Sequence, residues 1–320
     1  MISLSGAKQG EFGMKVAVIG SFPAKTRERV RSCFPADWEV SIGPAEESFL
    51  READAVIPEH AQVDASFLAR APKLRMVQTG AGYDNVDLEA CTRRGILVCN
   101  AAGVNAAAVA EHTMALLLGW YKNIVPLDRC LREGRGTPDY TGSELAGKTV
   151  GVVGLGAIGR RVARYCLAFD MRVLGYSRRP VELPGVEPAD LDTLFRESDV
   201  VTLHVPLNGE TRHLVGRAAF AKMKSDALLI NTSRGAVVDE ARLIRALEEH
   251  TIGGACLDVF EEEPLPDDSP LRRLPNVLLT PHTAGLPDGV KFHEKRYRFF
   301  ARNIARAFAG ETPENLRNGT

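Results

Sequence analysis

Three side chains of types that bind anions and move protons follow three predicted strands in the second half of the chain. Arg234 comes after the apolar run 227–230, Glu263 after the run 254–257, and His282 after the run 277–279. A guanidinium binds carboxylates through two parallel hydrogen bonds, and an imidazole near a carboxylate suits general acid–base catalysis. Taken singly, each residue also has a plainer interpretation. Arg234 could form a surface ion pair, Glu263 could be one of several solvated acids, and His282 could be a capping side chain.

The elements that would carry these residues favour a single site. In an open parallel α/β sheet, ligands bind beyond the carboxyl ends of the strands, so side chains that follow neighbouring strands meet at one edge. The arginine, the carboxylate and the histidine are therefore expected to lie together. For three such residues at one sheet edge, the plainer interpretations are no longer favoured.

A glycine-rich turn in the middle of the chain predicts a dinucleotide site. The β-branched run 149–153 is typical of a buried parallel strand, and it leads into a turn and then a helical pattern over 160–167. Gly154 would allow the tight turn, Gly156 would let backbone N–H groups approach a pyrophosphate, and Gly159 would let the helix and strand pack closely. The alternative is a purely structural strand–helix turn.

The composition is that of an ordinary globular protein. The chain has 320 residues, of which 45% are hydrophobic and 25% charged, with a net charge of −1. This length predicts two domains, and neither nucleic acid nor a membrane is an expected partner. Six cysteines without metal-ligand spacing indicate reduced thiols in a cytoplasmic protein, with no metal site. Residues 1–13 are expected to be a flexible extension.

Two series of alternating strands and helices predict an α/β fold with two doubly wound parallel-sheet domains. The first series predicts strands at 16–19, 38–41, 55–57, 74–78 and 96–99, with helices at 24–33 and 86–92. The second predicts strands near 172–175, 200–203, 227–230, 254–257 and 277–279, a helix at 240–249 and a closing helix at 292–309. Between the two series, residues 105–132 are expected to form one long helical segment.

Five stretches, in the order and at about the spacing of a known family, resemble the D-isomer-specific 2-hydroxyacid dehydrogenases. They are 154–159, 204–211, 231–240, 257–264 and 280–285, within a resemblance that runs from Met14 to Asn318. The resemblance implies a Rossmann-type cofactor domain at 102–286, inserted into a flavodoxin-like substrate domain at 1–101 and 287–320. It also implies hydride transfer between NAD(P)H and a small 2-keto acid, which gives a D-2-hydroxy acid.

The resemblance assigns roles to the three side chains. Arg234 would grip the substrate carboxylate and polarise the adjacent carbonyl. His282 would be the general acid, or the base in the oxidative direction, while Glu263 would accept a hydrogen bond from the other imidazole nitrogen. The loop 79–85 resembles the substrate-side loop of the family, where the backbone amides of Ala81 and Gly82 would meet the carboxylate. A plain glycine turn is the alternative for this loop.

The resemblance also places the cofactor groove. Asp258 matches the position that holds the nicotinamide carboxamide. The other expected contacts, mostly through backbone groups, are Gly154, Gly156, Ala157, Ile158, Gly159, Val205, Pro206, Thr211, Thr232, Ser233, Ala284 and Gly285.

The end of the strand 172–176 departs from the common family pattern. An Asp or Glu would bind the ribose 2′-hydroxyl of NAD there, but this chain has Ser177, followed by Arg178 and Arg179. A carboxylate would repel a 2′-phosphate, whereas a hydroxyl and two guanidiniums would bind one. NADP is therefore predicted as the preferred cofactor, with NAD possible. The alternative is that both arginines point to solvent and NADH is used.

Single residues separate this chain from some relatives. Formate dehydrogenases place glutamine where Glu263 stands, so the glutamate favours a hydroxy or keto acid as substrate. Phosphite dehydrogenases place lysine where Ala81 stands, which argues against phosphite. Together with the NADPH signal, these residues favour a glyoxylate/hydroxypyruvate reductase-like enzyme. Two alternatives stay open, a D-3-phosphoglycerate dehydrogenase-like enzyme and a non-enzymatic, nucleotide-sensing corepressor-like protein, because fold does not fix function.

The helical segment 105–132 is apolar over more of its surface than one core-facing stripe needs. Members of the family commonly dimerise through the corresponding helix, so a homodimer is expected. The alternative is a helix buried within its own chain. A tryptophan that relatives often carry between Gly134 and Leu145 is absent here.

Overall fold

The computed structural model describes residues 13–59, 61–135, 142–285 and 294–319. It divides into two compact units, one made of Met1–Asn105 with Leu286–Thr320 and one made of Ala106–Gly285. Each unit has a parallel sheet and its own hydrophobic core, which confirms the prediction of two parallel-sheet α/β domains. The division into a substrate domain and a cofactor domain stays a prediction. The expected extension lies, up to residue 12, outside the described residues.

The first unit alternates strands and helices along the chain. Its elements are β1 (Lys15–Ile19), α1 (Ala24–Arg31), β2 (Glu39–Gly43), α2 (Glu47–Glu52), β3 (Ala55–Pro58), α3 (Ala65–Arg70), β4 (Met76–Thr79), α4 (Leu88–Arg93), β5 (Leu97–Asn100) and, late in the chain, α11 (Glu294–Phe308). The five strands pair in the order β2-β1-β3-β4-β5. This is the flavodoxin-like doubly wound order.

The strands of this unit are apolar on both faces because helices cover both. In β1, Val16 and Val18 pack with residues of α1 and α11, such as Val30 and Phe300. The alternate residues Ala17 and Ile19 pack in a separate cluster with side chains of α2, α3 and α4. Successive side chains of a strand point to opposite faces of the sheet, and here both faces are buried. A strand of this sheet is therefore a continuous hydrophobic run in the sequence.

The second unit contains the glycine turn. Its elements are α5 (Ala106–Tyr121), α6 (Ile124–Arg132), β6 (Thr149–Val153), α7 (Gly159–Ala168), β7 (Arg172–Tyr176), β8 (Val186–Pro188), α8 (Leu191–Glu197), β9 (Val200–Leu203), α9 (Arg217–Phe220), β10 (Leu228–Asn231), α10 (Glu240–Glu248), β11 (Gly254–Leu257) and β12 (Val277–Leu279). The seven strands pair in parallel in the order β12-β11-β10-β9-β6-β7-β8. This is the Rossmann order, extended by one strand. Successive strands are added on one side of β6 up to β8 and on its other side from β9 onward, so the order of the strands reverses at β6.

The register of this sheet brings the ends of its strands into line. Leu203 of β9 pairs with Val153 of β6 on one side and with Asn231 of β10 on the other. Asn231 pairs in turn with Leu257 of β11, and Leu257 pairs with Leu279 of β12. The loops that follow these strands therefore emerge at one edge.

The single helix predicted for residues 105–132 is wrong. The chain forms two helices, α5 and α6, and between them Asn123 has a φ of 51° in the left-handed region. Pro126 lies in the first turn of α6, where its missing N–H is not needed. Inside one continuous helix it would have lost a hydrogen bond and clashed with the preceding turn.

Other helix ends differ from the prediction by a few residues. The helix predicted at 86–92 begins only at Leu88, because the side chain of Asp87 accepts a hydrogen bond from the N–H of Ala90 and caps it. The closing helix is described from Glu294, so its predicted first residues, 292 and 293, lie outside the described residues. Within the described ranges, no helix combines the length and apolar character needed to cross a membrane.

Candidate active site and cofactor site

His282 and Glu263 form a hydrogen-bonded pair beyond the carboxyl edge of the seven-stranded sheet. The Nδ1 atom of His282 lies 2.6 Å from Oε2 of Glu263, and the backbone N–H of Phe260 donates to Oε1 of the same carboxylate at 3.1 Å. Because Nδ1 faces the carboxylate, Nε2 is the ring nitrogen available for proton exchange with a ligand. The imidazole is about half exposed, with 46% of the side-chain surface accessible.

The carboxyl group of Glu263 is held in its charged form. Burial acts to raise its pKa, but the hydrogen bond and charge of His282, the Phe260 N–H and the charge of Arg234 outweigh burial, and the pKa is lowered from its ordinary value. A charged carboxylate next to an imidazole fixes the ring and places a proton on the nitrogen that faces it. The pair is therefore arranged to present Nε2 outward.

Asp258 organises the loop that carries His282. Its buried carboxylate accepts hydrogen bonds from the hydroxyl of Thr280 at 2.6 Å and from the N–H groups of Thr283 and Ala284 at 2.9 and 3.0 Å. Its carbonyl accepts from the N–H of His282 at 2.8 Å. These bonds hold His282 at a φ of 51°, a conformation that costs energy for a residue with a large side chain. The predicted contact of Asp258 with a carboxamide stays a prediction.

His112 of α5 joins this network and was not singled out as a site residue. Its Nε2 atom lies 3.0 Å from the hydroxyl oxygen of Thr280 and 3.5 Å from Oδ1 of Asp258. Its presence within an alanine- and leucine-rich helix could have pointed to this role, because a histidine on the buried face of a helix needs a polar partner.

Arg234 lies in a loop that Asn231 closes. The Oδ1 atom of Asn231 accepts from the N–H and hydroxyl of Ser233 at 3.1 and 2.8 Å, and its Nδ2 donates to the carbonyl of Arg234 at 2.9 Å. At Gly235 a Cβ would lie 1.8 Å from the carbonyl carbon of Phe260, so the Arg234 loop packs tightly against the segment that leads to Glu263. Asn231 was also missed, although an amide at the end of an apolar strand was visible in the sequence.

The turn 154–159 has the shape that a pyrophosphate requires. Gly154 has a φ of 101°, and a Cβ there would lie 2.6 Å from the carbonyl oxygen of His204. At Gly159 a Cβ would lie 1.9 Å from the carbonyl oxygen of Gly154, whereas at Gly156 it would meet nothing within 4 Å. Two of the glycines are thus needed for packing, and the third faces open space beside Ala157 and Ile158 at the start of α7. These residues fit a dinucleotide.

Ser177, Arg178 and Arg179 follow β7 directly, next to the glycine turn. The N–H of Gly154 donates to the carbonyl of Tyr176 at 2.8 Å, which places the end of β7 beside that turn. The hydroxyl of Ser177 donates to the carbonyl of Arg179. Arg178 forms an exposed ion pair with Glu210, with Nη1 3.0 Å from Oε2. No carboxylate stands at the position that contacts the ribose 2′-hydroxyl in NAD-binding proteins of this fold.

The remaining predicted cofactor residues lie at the same edge, and their hydroxyls are engaged within the protein. Thr211 donates to the carbonyl of Pro206 at 2.6 Å, in the turn that begins with Val205 after β9. The buried hydroxyl of Thr232 lies 3.1 Å from that of Thr113. These residues, with Ala284 and Gly285 after β12, therefore offer a ligand mainly their backbone groups. Ala81 and Gly82 belong to the first unit, in the loop that follows β4.

Comparison with known proteins shows the family of the chain. Residues 114–284 match the family model of the D-isomer specific 2-hydroxyacid dehydrogenase, NAD binding domain. The chain is 39% identical over 322 residues to a glyoxylate reductase of Korarchaeum cryptofilum, and this match covers 95% of the chain and 96% of that protein.

Two solved structures show the same architecture. An NADPH-dependent glyoxylate/hydroxypyruvate reductase from Sinorhizobium meliloti, in complex with citrate, matches with a TM-score of 0.83 and 28% identity over 94% of this chain and 97% of that one. A D-lactate dehydrogenase from Aquifex aeolicus, complexed with NAD and lactic acid, matches with a TM-score of 0.83 and 29% identity. This match covers 95% of this chain and 99% of that one. The matches confirm the resemblance seen in the sequence, and the chain belongs to the D-isomer specific 2-hydroxyacid dehydrogenase family of oxidoreductases.

Proposed function

We propose that this protein reduces a small 2-keto acid to the D-2-hydroxy acid with NADPH, as a glyoxylate/hydroxypyruvate reductase does. The observation that carries the proposal is the His282–Glu263 pair, 2.6 Å apart, with the Arg234 loop packed against the same segment. A proton donor held by a carboxylate and an anion-binding guanidinium are the two groups that reduction of a 2-keto acid requires. A bound nicotinamide coenzyme would supply the hydride.

The protein residues act on the two polar groups of the substrate. Arg234 binds the carboxylate and polarises the neighbouring carbonyl group. His282 donates the proton on Nε2 to the carbonyl oxygen as the carbon is reduced, and in the reverse direction it removes that proton. Glu263 keeps the ring oriented and stabilises the charged imidazolium. The N–H groups of Ala81 and Gly82 donate to the substrate carboxylate.

The preference for NADPH is supported by residues 177–179. A phosphate on the ribose would meet two guanidiniums and a hydroxyl there, with no carboxylate at residue 177 to repel it. The structural relatives include one named as NADPH-dependent and one complexed with NAD. The preference of this chain for NADPH or NADH therefore depends on its own side chains.

We also propose that the protein is a homodimer that assembles through α6. None of the residues of α6 is buried, and Ile124, Val125 and Leu131 are 57%, 45% and 71% exposed. By contrast, α5 buries Ala110, Leu116 and Leu117 in the core of its own unit. A cluster of exposed large apolar side chains on one helix is typical of an interaction surface.

The six unpaired thiols support a location in the reducing cytoplasm.

A panel of substrates tests the function. The purified protein is incubated with NADPH or NADH and with glyoxylate, hydroxypyruvate, pyruvate, phenylpyruvate or 3-phosphohydroxypyruvate, and the loss of nicotinamide absorbance is followed. We expect the highest kcat/KM with NADPH and glyoxylate or hydroxypyruvate. A preference for 3-phosphohydroxypyruvate would support a phosphoglycerate dehydrogenase instead. Oxidation of neither cofactor by any keto acid would support a nucleotide-binding protein without this activity.

A further inference from the structure

The peptide groups of the loop after β4 are oriented by residues at the end of β5. The carbonyl of Gly80 accepts a hydrogen bond from the N–H of Ala101 at 2.8 Å. The carbonyl of Ala81 accepts one from Nδ2 of Asn100 at 2.5 Å. In a planar trans peptide, the carbonyl oxygen and the N–H of the next residue point in opposite directions. The N–H groups of Ala81 and Gly82 must therefore both point away from the end of β5.

These two N–H groups form a pair of adjacent donors. Within the part of the chain that the structure describes, neither has a hydrogen-bond acceptor, and Ala81 is exposed to solvent. Successive backbone N–H groups that point to the same side create a concave site for an anion. A carboxylate with two oxygens is the ligand chemistry that such a pair fits.

Arg317 fixes the direction of the Asn100 amide. Its Nε and Nη2 atoms donate to Oδ1 of Asn100 at 2.9 and 2.7 Å. An arginine can only donate, so the amide oxygen has to face it, and Nδ2 is then left to face the carbonyl of Ala81. Arg317 is itself anchored, because its N–H donates to the carbonyl of Val98 of β5 at 2.8 Å. Its guanidinium also lies 5.6 Å from the ring centroid of Tyr83 in the same loop.

We propose that Asn100, oriented by Arg317, is a positioning residue that aims the N–H groups of Ala81 and Gly82 at the substrate carboxylate, an inference that rests on the proposed function. The C-terminal tail of the chain thereby contributes to substrate binding without touching the substrate. The peptide between Ala81 and Gly82 would otherwise be free to rotate, since loop peptides without fixed partners sample several orientations.

The variant Asn100→Asp separates positioning from folding. An aspartate keeps an acceptor for Arg317 and strengthens that contact, but it has no donor for the carbonyl of Ala81, which its second oxygen would repel. We expect the KM for the 2-keto acid to rise about tenfold, as for the loss of one hydrogen bond to a charged group, with a smaller change in kcat. The KM for NADPH and the melting temperature should stay close to those of the wild type.

The variant Asn318→Asp is the matched control. Asn318 also links the tail to β5, since its Nδ2 donates to the carbonyl of Ile96 at 2.7 Å and its Oδ1 accepts from the N–H of Val98 at 2.9 Å. Among the described residues, no hydrogen bond joins it to the loop 79–85. The same substitution there should leave the KM for the keto acid unchanged. Arg317→Met should raise that KM, because the Asn100 amide could then turn over, and Arg317→Lys should restore part of the loss.

A binding measurement keeps this inference distinct from the proposed function. Oxamate, a 2-keto acid analogue that cannot be reduced, is added to ¹⁵N-labelled protein, and the amide signals of Ala81 and Gly82 are followed. We expect both signals to shift in the wild type and in Asn318→Asp but not in Asn100→Asp, whether or not the protein turns over any substrate. Unperturbed wild-type signals, or an Asn100→Asp variant with wild-type KM and wild-type shifts, would overturn the inference.

Discussion

An ion pair joins Arg178, directly after β7, to Glu210, in the turn after β9, with Nη1 3.0 Å from Oε2. Both side chains are largely exposed, so the pair is weak and a ligand phosphate can compete with Glu210 for the guanidinium. We therefore expect Glu210, as well as the two arginines, to influence the proposed selectivity for NADPH.

Substitutions at these positions should change cofactor selectivity in opposite directions. We expect Ser177→Asp to raise the KM for NADPH by about tenfold or more, because the new carboxylate repels a 2′-phosphate and accepts a ribose hydroxyl. Glu210→Gln should lower the KM for NADPH by releasing Arg178. Steady-state kinetics with both cofactors measure these effects, and Arg172→Gln, at the opposite end of β7, is the control. A wild type that prefers NADH tenfold would contradict the assignment.

The pair formed by His282 and Glu263 should be essential for turnover but not for cofactor binding. We expect His282→Gln to lower kcat at least about a hundredfold, because the proton donor is lost. Glu263→Gln should lower kcat by a smaller factor than His282→Gln does, since the proton donor remains but the charged carboxylate that orients its ring is removed. Binding of NADPH, followed by its fluorescence, should be unchanged in both.

Glu262→Gln provides the matched control for this pair. Glu262 is the exposed neighbour of Glu263, and no hydrogen bond joins it to His282 among the described residues. It should retain wild-type kcat and pH dependence. An active His282→Gln variant would refute the assigned acid, and equal losses in Glu262→Gln and Glu263→Gln would point to a general effect of charge in this acidic segment.

His204 should make the stability of the protein depend on pH. Its Nε2 atom lies 3.0 Å from the hydroxyl oxygen of Thr202, while Nδ1 is buried without a partner in the described structure. Burial lowers the pKa of His204 to about 3, whereas the unfolded chain takes up this proton near pH 6.5. Between these values the unfolded state binds more protons, so the free energy of unfolding falls as the pH falls, by up to ~1.4 kcal/mol per pH unit.

Urea unfolding at pH 7 and pH 5 measures this contribution. The loss of stability on going to pH 5 should be smaller in His204→Gln than in the wild type, by up to about 2 kcal/mol. His250→Asn, at an exposed histidine with a φ of 52° that asparagine tolerates, should behave as the wild type. Equal pH dependence in the wild type and in His204→Gln would show that His204 is not held neutral.

Charges on α6 should dissociate the proposed dimer. We expect the wild type to sediment with about twice the mass of one chain of 34.8 kDa. Leu131→Lys combined with Ile124→Lys should give the monomer mass, because two charges would have to be buried in an apolar interface. Ala221→Lys, at the exposed end of α9, should remain dimeric. A wild type that sediments as a monomer at micromolar concentration would rule out this interface.

The sequence predicted those features of the structure that a local run of residues specifies. Apart from β8, which was not predicted, the strands of both parallel sheets followed from short, mainly apolar runs. The glycine turn followed from three glycines, two of which the structure requires for close packing and a positive φ. The placement of Arg234, Glu263 and His282 at one edge followed from the rule that parallel strands end together. The break between α5 and α6 was also encoded locally, by Asn123 and Pro126, but the apolar composition of the whole segment concealed it.

The tertiary structure alone decided which polar side chains hold those residues in place. Asp258 binds the loop of His282, Asn231 closes the loop of Arg234, and Arg317 orients Asn100 from 217 positions along the chain. No periodicity or short motif encodes such pairs, because the geometry of a hydrogen bond depends on backbone positions that only packing brings together. The sequence by itself therefore determined the fold and the chemical groups, and the folded chain determined their orientation.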